Sequence, residues 1–344
     1  MPHLSISTVV PTYNRASLLE RALRSALPQC EPGDEIIVVD DGSTDDSEAV
    51  ARACGAPVRY LSTPHLGAGA ARNAGVRAAS CDLVAFLDSD DEWMPGKLAL
   101  QRAVMEHFPE ILFVFSDFGV VGPSGERRHG GLLEWRDGVL WPWDRILGDG
   151  ISSDLISGLP ASAPRFALHV GRLYEMFISG WCVFTGTVVV RKEAAGEALH
   201  FPEDVPTYED LECFARLAQR GPAGFVDCET AWHHLHLGAR LTDADKGTNA
   251  ETALMIIDRV WGADEEYLKL HREEFEAVMD AHRARKVRFL LGRGRKREAR
   301  QELALLFHAP PRSYRLLTYV PGRLMGLAAE LRRGIYARRS RPRS

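Results

Sequence analysis

Two acidic clusters in the first third of the chain have side chains suited to holding a metal ion beside phosphate groups. Asp40 and Asp41 open the turn DDGSTD, and Asp88 and Asp90 flank Ser89 in the sequence DSDD. In extended backbone, residues two apart point to the same side. Two carboxylates that face one way suit Mg²⁺ or Mn²⁺, which keep further positions for phosphate oxygens and water. Polar turns and helix caps favour the same residue types, so either cluster alone is equally well explained as a turn.

Both clusters directly follow segments that are predicted to be buried strands. The predicted strands are continuous apolar, β-branched runs at residues 6–10, 35–39 and 83–87. Segments with helical spacing separate or follow them, at residues 18–27, 44–53 and 70–79. Alternating strands and helices predict an α/β fold with a mostly parallel, Rossmann-like sheet. Ligands of such sheets bind beyond the carboxyl ends of the strands, which is where both clusters lie.

The pattern changes after residue 118. Residues 119–182 are rich in Gly, Pro, Trp and Ser, a strand-like run follows at 185–191, and a helix is predicted around 209–220. From about residue 251 the apolar spacing is helical throughout. A long insertion and a helical C-terminal extension are therefore expected.

Composition indicates a folded chain with an uneven charge distribution. The 344 residues are 45% hydrophobic and 26% charged, which is typical of a globular protein. Residues 283–344 hold 18 lysines and arginines against 3 acidic residues, a charge of +15, which leaves −20 for residues 1–282 of the total of −5. The acidic body argues against binding nucleic acid, whereas the basic tail should be attracted to an anionic surface.

Targeting and redox features predict a cytoplasmic protein. The six cysteines are widely spaced, without the close pairs of a zinc or redox motif. The sequence begins without a basic leader, and no run reaches about 18 apolar residues. We expect the cytoplasm, or the cytoplasmic face of a membrane reached through the basic tail.

The order of several motifs resembles the family-2 glycosyltransferases of the GT-A fold. These motifs are VVPTYNR at 9–15, DEIIVVDDGS at 34–43, GAARNAG at 69–75, FLDSDDEW at 86–93 and PGKL at 95–98. The resemblance extends over about two-thirds of the chain, to around residue 242. It implies a nucleotide-sugar-binding half at 1–118, an acceptor-binding half at 119–250 and a helical, basic extension at 251–344.

The resemblance also implies roles for particular residues on the donor side. The residue matching Asp41 accepts a hydrogen bond from the nucleobase, and the one matching Tyr13 packs near it. A carboxylate that pairs with an imide N–H distinguishes uracil or thymine from cytosine, so a UDP- or dTDP-linked donor is expected. Arg72 is expected to neutralise phosphate charge, although an exposed helix arginine is the alternative. The full predicted nucleotide-sugar set is Pro11, Thr12, Tyr13, Arg15, Asp40, Asp41, Arg72, Asp88 and Ser89.

A second acidic pair, Glu209 and Asp210, begins the predicted helix at 209–220. Acidic residues at a helix start are also ordinary caps. The resemblance assigns Asp210 as the general base and leaves Glu209 to orient the site. Downstream, HHLH at 233–236 replaces a common family pattern, and His236 aligns best as the ligand that joins Asp88 and Asp90 on Mn²⁺ or Mg²⁺. A shifted register would make His234 the ligand, and a purely structural role for the histidines is the remaining alternative.

The implied reaction is inverting transfer of a single sugar to a hydroxyl of a glycan, lipid-linked or small-molecule acceptor. Trp181, Thr185 and Gly186 are the predicted acceptor contacts, by position in the family pattern. The basic tail predicts peripheral membrane contact or packing on a second subunit, so a homodimer is also considered. A nucleotidyltransferase and an inactive nucleotide-sugar-binding protein are the alternatives. The absence of a glycine-rich loop with a lysine after the first strand counts against the former.

Overall fold

The computed structural model describes residues 3–136, 138–139, 141–235, 246–309 and 319. They fall into two compact units, Met1–Arg240 and Leu241–Ser344. An 11-stranded sheet forms the centre of the first unit. Its strands are β1 Ile6–Thr12, β2 Glu35–Asp40, β3 Val58–Ser62, β4 Leu83–Phe86, β5 Glu92–Trp93, β6 Phe113–Val121, β7 Arg127–Arg128, β8 Ile151–Ser152, β9 Ala167–Gly171, β10 Val189–Arg191 and β11 Ala223–His234.

Helices of varied length connect these strands. They are α1 Ala16–Ala26, α2 Ser47–Ala53, α3 Ala68–Ala78, α4 Lys97–His107, α5 Gly131–Trp135, α6 Trp143–Ile146, α7 Tyr174–Phe177, α8 Lys192–Ala195 and α9 Glu209–Arg220. The predicted alternation of strands and helices is thus confirmed, and the predicted helix around 209–220 is α9. All six cysteines are free, as expected.

The sheet is parallel in one half and mixed in the other. The main strand order is β3-β2-β1-β4-β10-β6-β11-β9-β8. Strands β3, β2, β1 and β4 are all parallel, as the sequence predicts. Strand β10 then enters antiparallel between β4 and β6, and β9 pairs antiparallel with β11. The α/β fold class is confirmed. The half that carries the early motifs is all parallel, whereas in the other half β6 and β11 pair parallel and their further neighbours β10 and β9 are antiparallel.

The parallel half is held together by continuous apolar burial. Every residue of β1, β2 and β4 is buried, which explains why their sequences lack polar alternation. Helix α3 packs closely on this layer because Gly75 has no side chain: a Cβ there would lie 2.3 Å from Cγ1 of Val9. The register pairs Thr12 of β1 with Asp40 of β2. The ends of these strands therefore lie side by side.

Two of the differences from the sequence-based expectation have a clear physical reason. Strand β3 was not predicted, because its half-exposed alternation of apolar and polar residues is typical of a sheet edge and lacks a continuous apolar run. Residues 185–191 were predicted as a strand, but Thr185–Thr187 forms a 3₁₀ turn and only Val189–Arg191 is a strand. The sequence favoured a strand because its threonines are β-branched. In the structure these threonines are buried, but in a 3₁₀ turn.

The second unit is helical where it is described. It contains α10 Lys246–Ile257, a π-helical turn Asp258–Gly262, α11 Glu265–Gly292 and α12 Lys296–Ala304. Apolar residues of α11, including Val287 and Leu290, pack with Ala299 of α12. No helix among the described residues is long and apolar enough to cross a membrane. Most of the basic tail, including residues 320–344, lies outside the described residues.

Candidate active site

The predicted donor residues lie at one edge of the sheet, around the carboxyl end of β1. Strand β1 lies between β2 and β4. Pro11 and Thr12 end β1, Asp40 ends β2, and Asp88 follows Leu87 just beyond β4. The backbone N–H of Leu87 donates to the carbonyl of Val9, which extends the pairing of β4 with β1 as far as the acidic turn.

Asp40 and Asp41 are both buried and help to build the loops around them. Asp40 accepts from the backbone N–H of Ser43 at 2.8 Å and from the hydroxyl of Tyr60 at 2.7 Å. The two carboxylate oxygens of Asp41 accept from the backbone N–H groups of Leu66 at 2.9 Å and Gly67 at 2.8 Å. Only 4% of Asp41 is exposed. The hydroxyl of Thr63 also lies 3.3 Å from Oδ1, and Nδ1 of His65 lies 3.2 Å from Oδ2, so a further donor would have to replace one of these two longer contacts.

An aromatic pair lies above this loop. The rings of Tyr13 and His65 stack with centroids 4.1 Å apart, and 43% of Tyr13 is exposed. The Nδ1 atom of His65 lies 3.0 Å from the carbonyl oxygen of Asp41. The hydroxyl of Thr12 is buried without a hydrogen-bond partner among the described residues. The structure thus brings Tyr13 and Asp41 together, and His65 is an addition that no sequence motif indicated.

The DSD turn is paired with two arginines. Nη2 of Arg72 lies 2.6 Å from Oδ1 of Asp88, and Nη1 of Arg15 lies 2.5 Å from Oδ2 of Asp90. Ser89 between them is buried. The side chains of Asp88 and Asp90 are 23% and 16% exposed, respectively. Two partly exposed carboxylates fit the oxygen ligands that Mn²⁺ or Mg²⁺ needs, provided that each can exchange its arginine for the cation.

Arg72 connects this turn to the second acidic pair. Its Nη1 lies 2.6 Å from Oε1 of Glu209, so its two terminal nitrogens bridge carboxylates from distant parts of the sequence, those of Asp88 and Glu209. Burial alone would lower the pKa of Arg72, but the charges of Asp88 and Glu209 raise it above its ordinary value. Gly69 allows this approach, because a Cβ there would lie 2.8 Å from the carbonyl oxygen of Pro202. The alternative that Arg72 is an exposed helix residue is excluded by its 5% exposure.

Asp210 has the chemistry of a base near neutral pH. Burial, and then the charge of Glu209, raise the pKa of Asp210 to about 6, against the opposing effects of Arg72 and of a hydrogen bond from Thr185. That bond runs from Oγ1 of Thr185 to Oδ2 of Asp210 at 3.0 Å. A carboxyl with this pKa is largely ionised at pH 7 and still basic enough to accept a proton.

The residue before the pair, Tyr208, has left-handed backbone. Its φ of 64° and ψ of 25° are uncommon for an aromatic residue. The rings of Tyr208 and Trp181 meet edge to face with centroids 4.5 Å apart. Trp181, a predicted acceptor contact, therefore lies beside the start of α9. Thr185 contacts Asp210, as described, and Gly186 is buried and accepts at its carbonyl from Nε1 of Trp93 at 2.7 Å.

The end of β11 brings histidines to the acidic turn. Asp91, which the sequence motifs left as a turn residue, accepts at Oδ1 from the backbone N–H of His234 at 3.0 Å and lies 3.1 Å from Nδ1 of His233. Nε2 of His234 lies 3.1 Å from Oε2 of Glu92. Burial raises the pKa of Asp91 to about 6, and His233 partly offsets this effect. The predicted ligand His236 lies outside the described residues.

A complete metal shell is not formed by the described residues. Among them, no group of three or more His, Cys, Asp or Glu side chains is arranged to hold a metal ion. The assignment of Asp88, Asp90 and His236 as ligands, with His234 as the alternative, therefore stays a prediction. The position of His234 next to Glu92 does place the histidine segment beside the DSD turn.

Comparison with known proteins agrees with this fold. Residues 7–144 match the model of Glycosyl transferase family 2. An uncharacterized glycosyltransferase of Rickettsia conorii is 38% identical over 229 residues, which are 65% of this chain and 32% of the relative. The amylovoran biosynthesis glycosyltransferase AmsB of Erwinia amylovora is 25% identical over 75% of this chain and 78% of the relative. The chain spans about a third of the length of the Rickettsia relative.

Solved structures give the same architecture. Residues 1–349 of TarS from S. aureus, in complex with UDP-GlcNAc, match with a TM-score of 0.56 at 18% identity, over 83% of this chain and 73% of that one. The mannosyltransferase PcManGT of Pyrobaculum calidifontis, in complex with GDP-Man and Mn²⁺, matches with a TM-score of 0.53 at 18% identity, over 95% of this chain and 80% of that one. The family match over residues 7–144 confirms the resemblance to family-2 glycosyltransferases, and the solved structures confirm the GT-A fold.

Proposed function

We propose that this protein is an inverting glycosyltransferase that moves one sugar from a UDP- or dTDP-linked donor to an acceptor hydroxyl. The proposal rests on the cluster of Asp88, Arg72, Glu209 and Asp210. Within it, Arg72 bonds both Glu209 and Asp88 at 2.6 Å, and Asp210 follows Glu209 in the sequence. The cluster combines a turn suited to a cation with a carboxyl group suited to proton transfer. A purely structural turn or helix cap requires neither feature.

The chemistry is a single displacement in which this chain supplies the base. The acceptor oxygen forms a bond to the anomeric carbon while the bond from that carbon to the diphosphate oxygen breaks. The electron pair of the broken bond leaves with the nucleoside diphosphate, and the hydroxyl proton moves to Asp210. With its pKa raised to about 6, chiefly by burial, Asp210 is mostly ionised and ready to accept that proton at neutral pH. Attack opposite the leaving group inverts the configuration.

A divalent cation would be held by Asp88 and Asp90, with His236 or His234 as the further ligand. Its contribution when bound is to offset the negative charge on the leaving diphosphate. Arg15 and Arg72 are positioned beside the same carboxylates and could turn their charge toward phosphate oxygens. The PcManGT complex with GDP-Man and Mn²⁺ supports the choice of cation by analogy of fold alone.

Recognition of the nucleobase is assigned to Asp41 and Tyr13. Asp41 is fixed by the N–H groups of Leu66 and Gly67, and an imide N–H would bind it by replacing one of its longer contacts, to the Thr63 hydroxyl or the His65 ring. The exposed ring of Tyr13 offers a face for stacking. An imide N–H donor is present on uracil and thymine and absent on cytosine, which supports a UDP or dTDP donor.

The acceptor and cellular location are further parts of the proposal. Trp181 and Tyr208 form an aromatic surface beside α9 on which the apolar face of a sugar could stack. The charge of +15 on residues 283–344 supports attraction to an anionic membrane from the cytoplasm. Flotation of the full chain with vesicles of neutral or anionic lipid tests the membrane contact, and equal binding to both would contradict it. Size-exclusion chromatography with light scattering tests the homodimer.

The donor proposal is tested by thermal shift with a panel of nucleotide sugars. UDP-glucose, UDP-galactose, UDP-GlcNAc, dTDP-glucose and GDP-mannose are each added with and without Mn²⁺. A uridine or thymidine donor is expected to stabilise the protein, and more strongly with Mn²⁺. Stabilisation by none of the five would contradict donor binding.

The base is tested by release of nucleoside diphosphate from the donor that binds best, with water as the acceptor. Replacing Asp210 with asparagine should lower this release by about 100-fold or more, since general-base catalysis contributes about 10²–10⁴. Donor binding, measured by the thermal shift, should persist. Unchanged release in the Asp210→Asn variant contradicts the base assignment, and no release from the wild type favours the inactive binding protein instead. Release of pyrophosphate from a nucleoside triphosphate and sugar phosphate would favour the nucleotidyltransferase.

A further inference from the structure

A short turn between β9 and β10 contacts the proposed base. We propose that Thr185 and Trp93 are positioning residues: Thr185 holds the carboxylate of Asp210 in its reactive orientation, and Trp93 fixes the turn that carries Thr185. This inference rests on the proposed function of Asp210. It goes beyond that function because Thr185 was predicted only as an acceptor contact, and Trp93 only as part of the FLDSDDEW motif.

The contact between Thr185 and Asp210 defines one side of the carboxylate. Oγ1 of Thr185 donates to Oδ2 of Asp210 at 3.0 Å, and the backbone N–H of Leu211 donates to Oδ1 at 2.9 Å. Only 3% of Thr185 is exposed, so water does not compete freely for this bond. The two donors fix the plane of the carboxylate, and the remaining acceptor positions stay available for the proton of a hydroxyl.

The turn is fixed from behind by two buried side chains. Nε1 of Trp93 donates to the carbonyl of Gly186 at 2.7 Å, and Nε2 of Gln101 donates to the carbonyl of Thr187 at 2.7 Å. Trp93 is 2% exposed and Gln101 is fully buried. Consecutive carbonyls of the turn are therefore held by separate donors, which leaves the backbone before and at Thr187 little freedom to rotate.

A buried lysine orients the second of these donors. Nζ of Lys97 lies 2.6 Å from Oε1 of Gln101, and it also lies 4.3 Å from the centre of the Trp93 ring. Lys97 is 1% exposed, and burial holds its pKa well below the ordinary value. The amine donates to the amide oxygen of Gln101, so that oxygen faces the lysine and the amide nitrogen faces Thr187.

Trp93 also links the two halves of the proposed site. It belongs to β5, which begins directly after the DSDD turn and pairs with β11 near the histidines. Its indole therefore extends from the element next to the proposed cation ligands to the turn beside the base. A shift of that element would be transmitted to Thr185, and a misplacement of about 1 Å can lower a rate by about 100-fold.

The experiment compares variants of Thr185 by nucleoside diphosphate release from the best-binding donor of the panel above. Thr185→Val keeps the shape and removes the hydroxyl, and we expect kcat to fall about 10- to 100-fold with the KM for donor within about twofold. Thr185→Ser should restore kcat to within about threefold of the wild type. The acidic limb of the pH profile should move up by roughly 0.7 pH unit in Thr185→Val, because the lost hydrogen bond, worth about 1 kcal/mol, no longer favours the ionised base.

Matched controls separate positioning from general loss of packing. Thr8→Val removes another buried hydroxyl, one without a hydrogen-bond partner among the described residues, and should leave the pH limb in place. Trp93→Phe should lower kcat about tenfold. Its control is Trp143→Phe, which removes an indole stacked on Phe225 and should lower the melting temperature without moving the acidic limb of the pH profile. In an Asp210→Asn background, Thr185→Val should cause no further loss, because its effect acts through Asp210.

The outcomes distinguish this inference from the proposed function. If Asp210→Asn is impaired but Thr185→Val keeps kcat within about twofold of the wild type, only the positioning role is overturned. If Thr185→Val and Thr185→Ser lose activity equally with an unmoved pH limb, the hydroxyl does not position the base. Full activity of Asp210→Asn overturns the base assignment and this inference together.

Discussion

Arg72 is the residue whose replacement tests the site most directly. Its guanidinium is 6% exposed and bonds Glu209 and Asp88 at 2.6 Å each. In an Arg72→Gln variant, two carboxylates would lose their counter-charge, and a third, Asp210, would lie close by. Removing one partner of a buried ion pair costs about 3–5 kcal/mol. Because Asp88 is 23% exposed and keeps part of its hydration, we expect the variant to lose about 3 kcal/mol of unfolding free energy, at the lower end of this range.

The loss should depend on pH in a defined direction. Arg72 opposes the burial and the Glu209 charge that raise the pKa of Asp210, so its removal should raise that pKa further above about 6. A carboxyl with a pKa higher in the folded than in the unfolded state binds its proton more tightly when folded, and stability rises as pH falls through the folded pKa. The deficit of Arg72→Gln should therefore be largest near pH 8 and shrink toward pH 5.

Thermal unfolding from about pH 5 to pH 8 measures both effects. A loss of about 3 kcal/mol corresponds to a fall of roughly 6–12 °C in melting temperature for a domain of this size class. Arg24→Gln is the control, because Arg24 is 76% exposed in an i,i+4 pair with Glu20 and such pairs contribute little. An Arg72→Gln variant that melts within about 2 °C of the wild type near pH 7 would refute the ion-pair reasoning.

Three further predictions concern turnover, metal binding and packing. Nucleoside diphosphate release by the wild type should decline below about pH 6, because protonated Asp210 cannot accept a proton; a limb near pH 4 in the pH–rate profile would contradict this. Arg15→Gln removes the arginine partner of Asp90, and the affinity for Mn²⁺ without nucleotide should then rise by about 3- to 10-fold, a charge effect on the order of 1 kcal/mol. A Mn²⁺ titration followed by electron paramagnetic resonance measures this affinity, and an unchanged value argues against the pairing. Gly75→Ala places a Cβ 2.3 Å from Val9. We expect the free energy of unfolding in urea to fall by about 1–2 kcal/mol, because the cost of overpacking exceeds the gain in helix propensity. A stabilised variant would contradict this.

The sequence predicted those parts of the fold that depend on local patterns. Continuous apolar runs located β1, β2 and β4, since strands buried on both faces cannot alternate. Strand β3 at the sheet edge had no such run and was missed. The turn at Thr185–Thr187 was predicted as the start of a strand because its threonines are β-branched and β-branched valines follow them. Its 3₁₀ geometry depends on Trp93 and Gln101, which are distant in sequence.

The sequence located the acidic residues of the site, but their pairing was not predictable. Their positions at the strand end group Asp88 with Asp90, and the family resemblance adds Asp210 to the same predicted site. No local pattern indicates that Arg72 lies between Asp88 and Glu209, because the second contact spans 137 residues. Asp91 resembles an ordinary turn residue for the same reason: the histidines that it contacts follow 142 and 143 residues later.

The distribution of arginines among the acidic residues gives a physical reason for choosing Asp210 as the base. Arg15 bonds Asp90, and Arg72 bonds both Asp88 and Glu209. Among the described residues no arginine bonds Asp210, which instead receives neutral donors from a threonine hydroxyl and a backbone N–H. A carboxylate bonded directly to guanidinium is a weak base, because giving it a proton breaks a charge-assisted hydrogen bond. Asp210 avoids that loss, and its pKa of about 6, raised first by burial, makes it the strongest candidate of the four for taking a proton from an incoming hydroxyl.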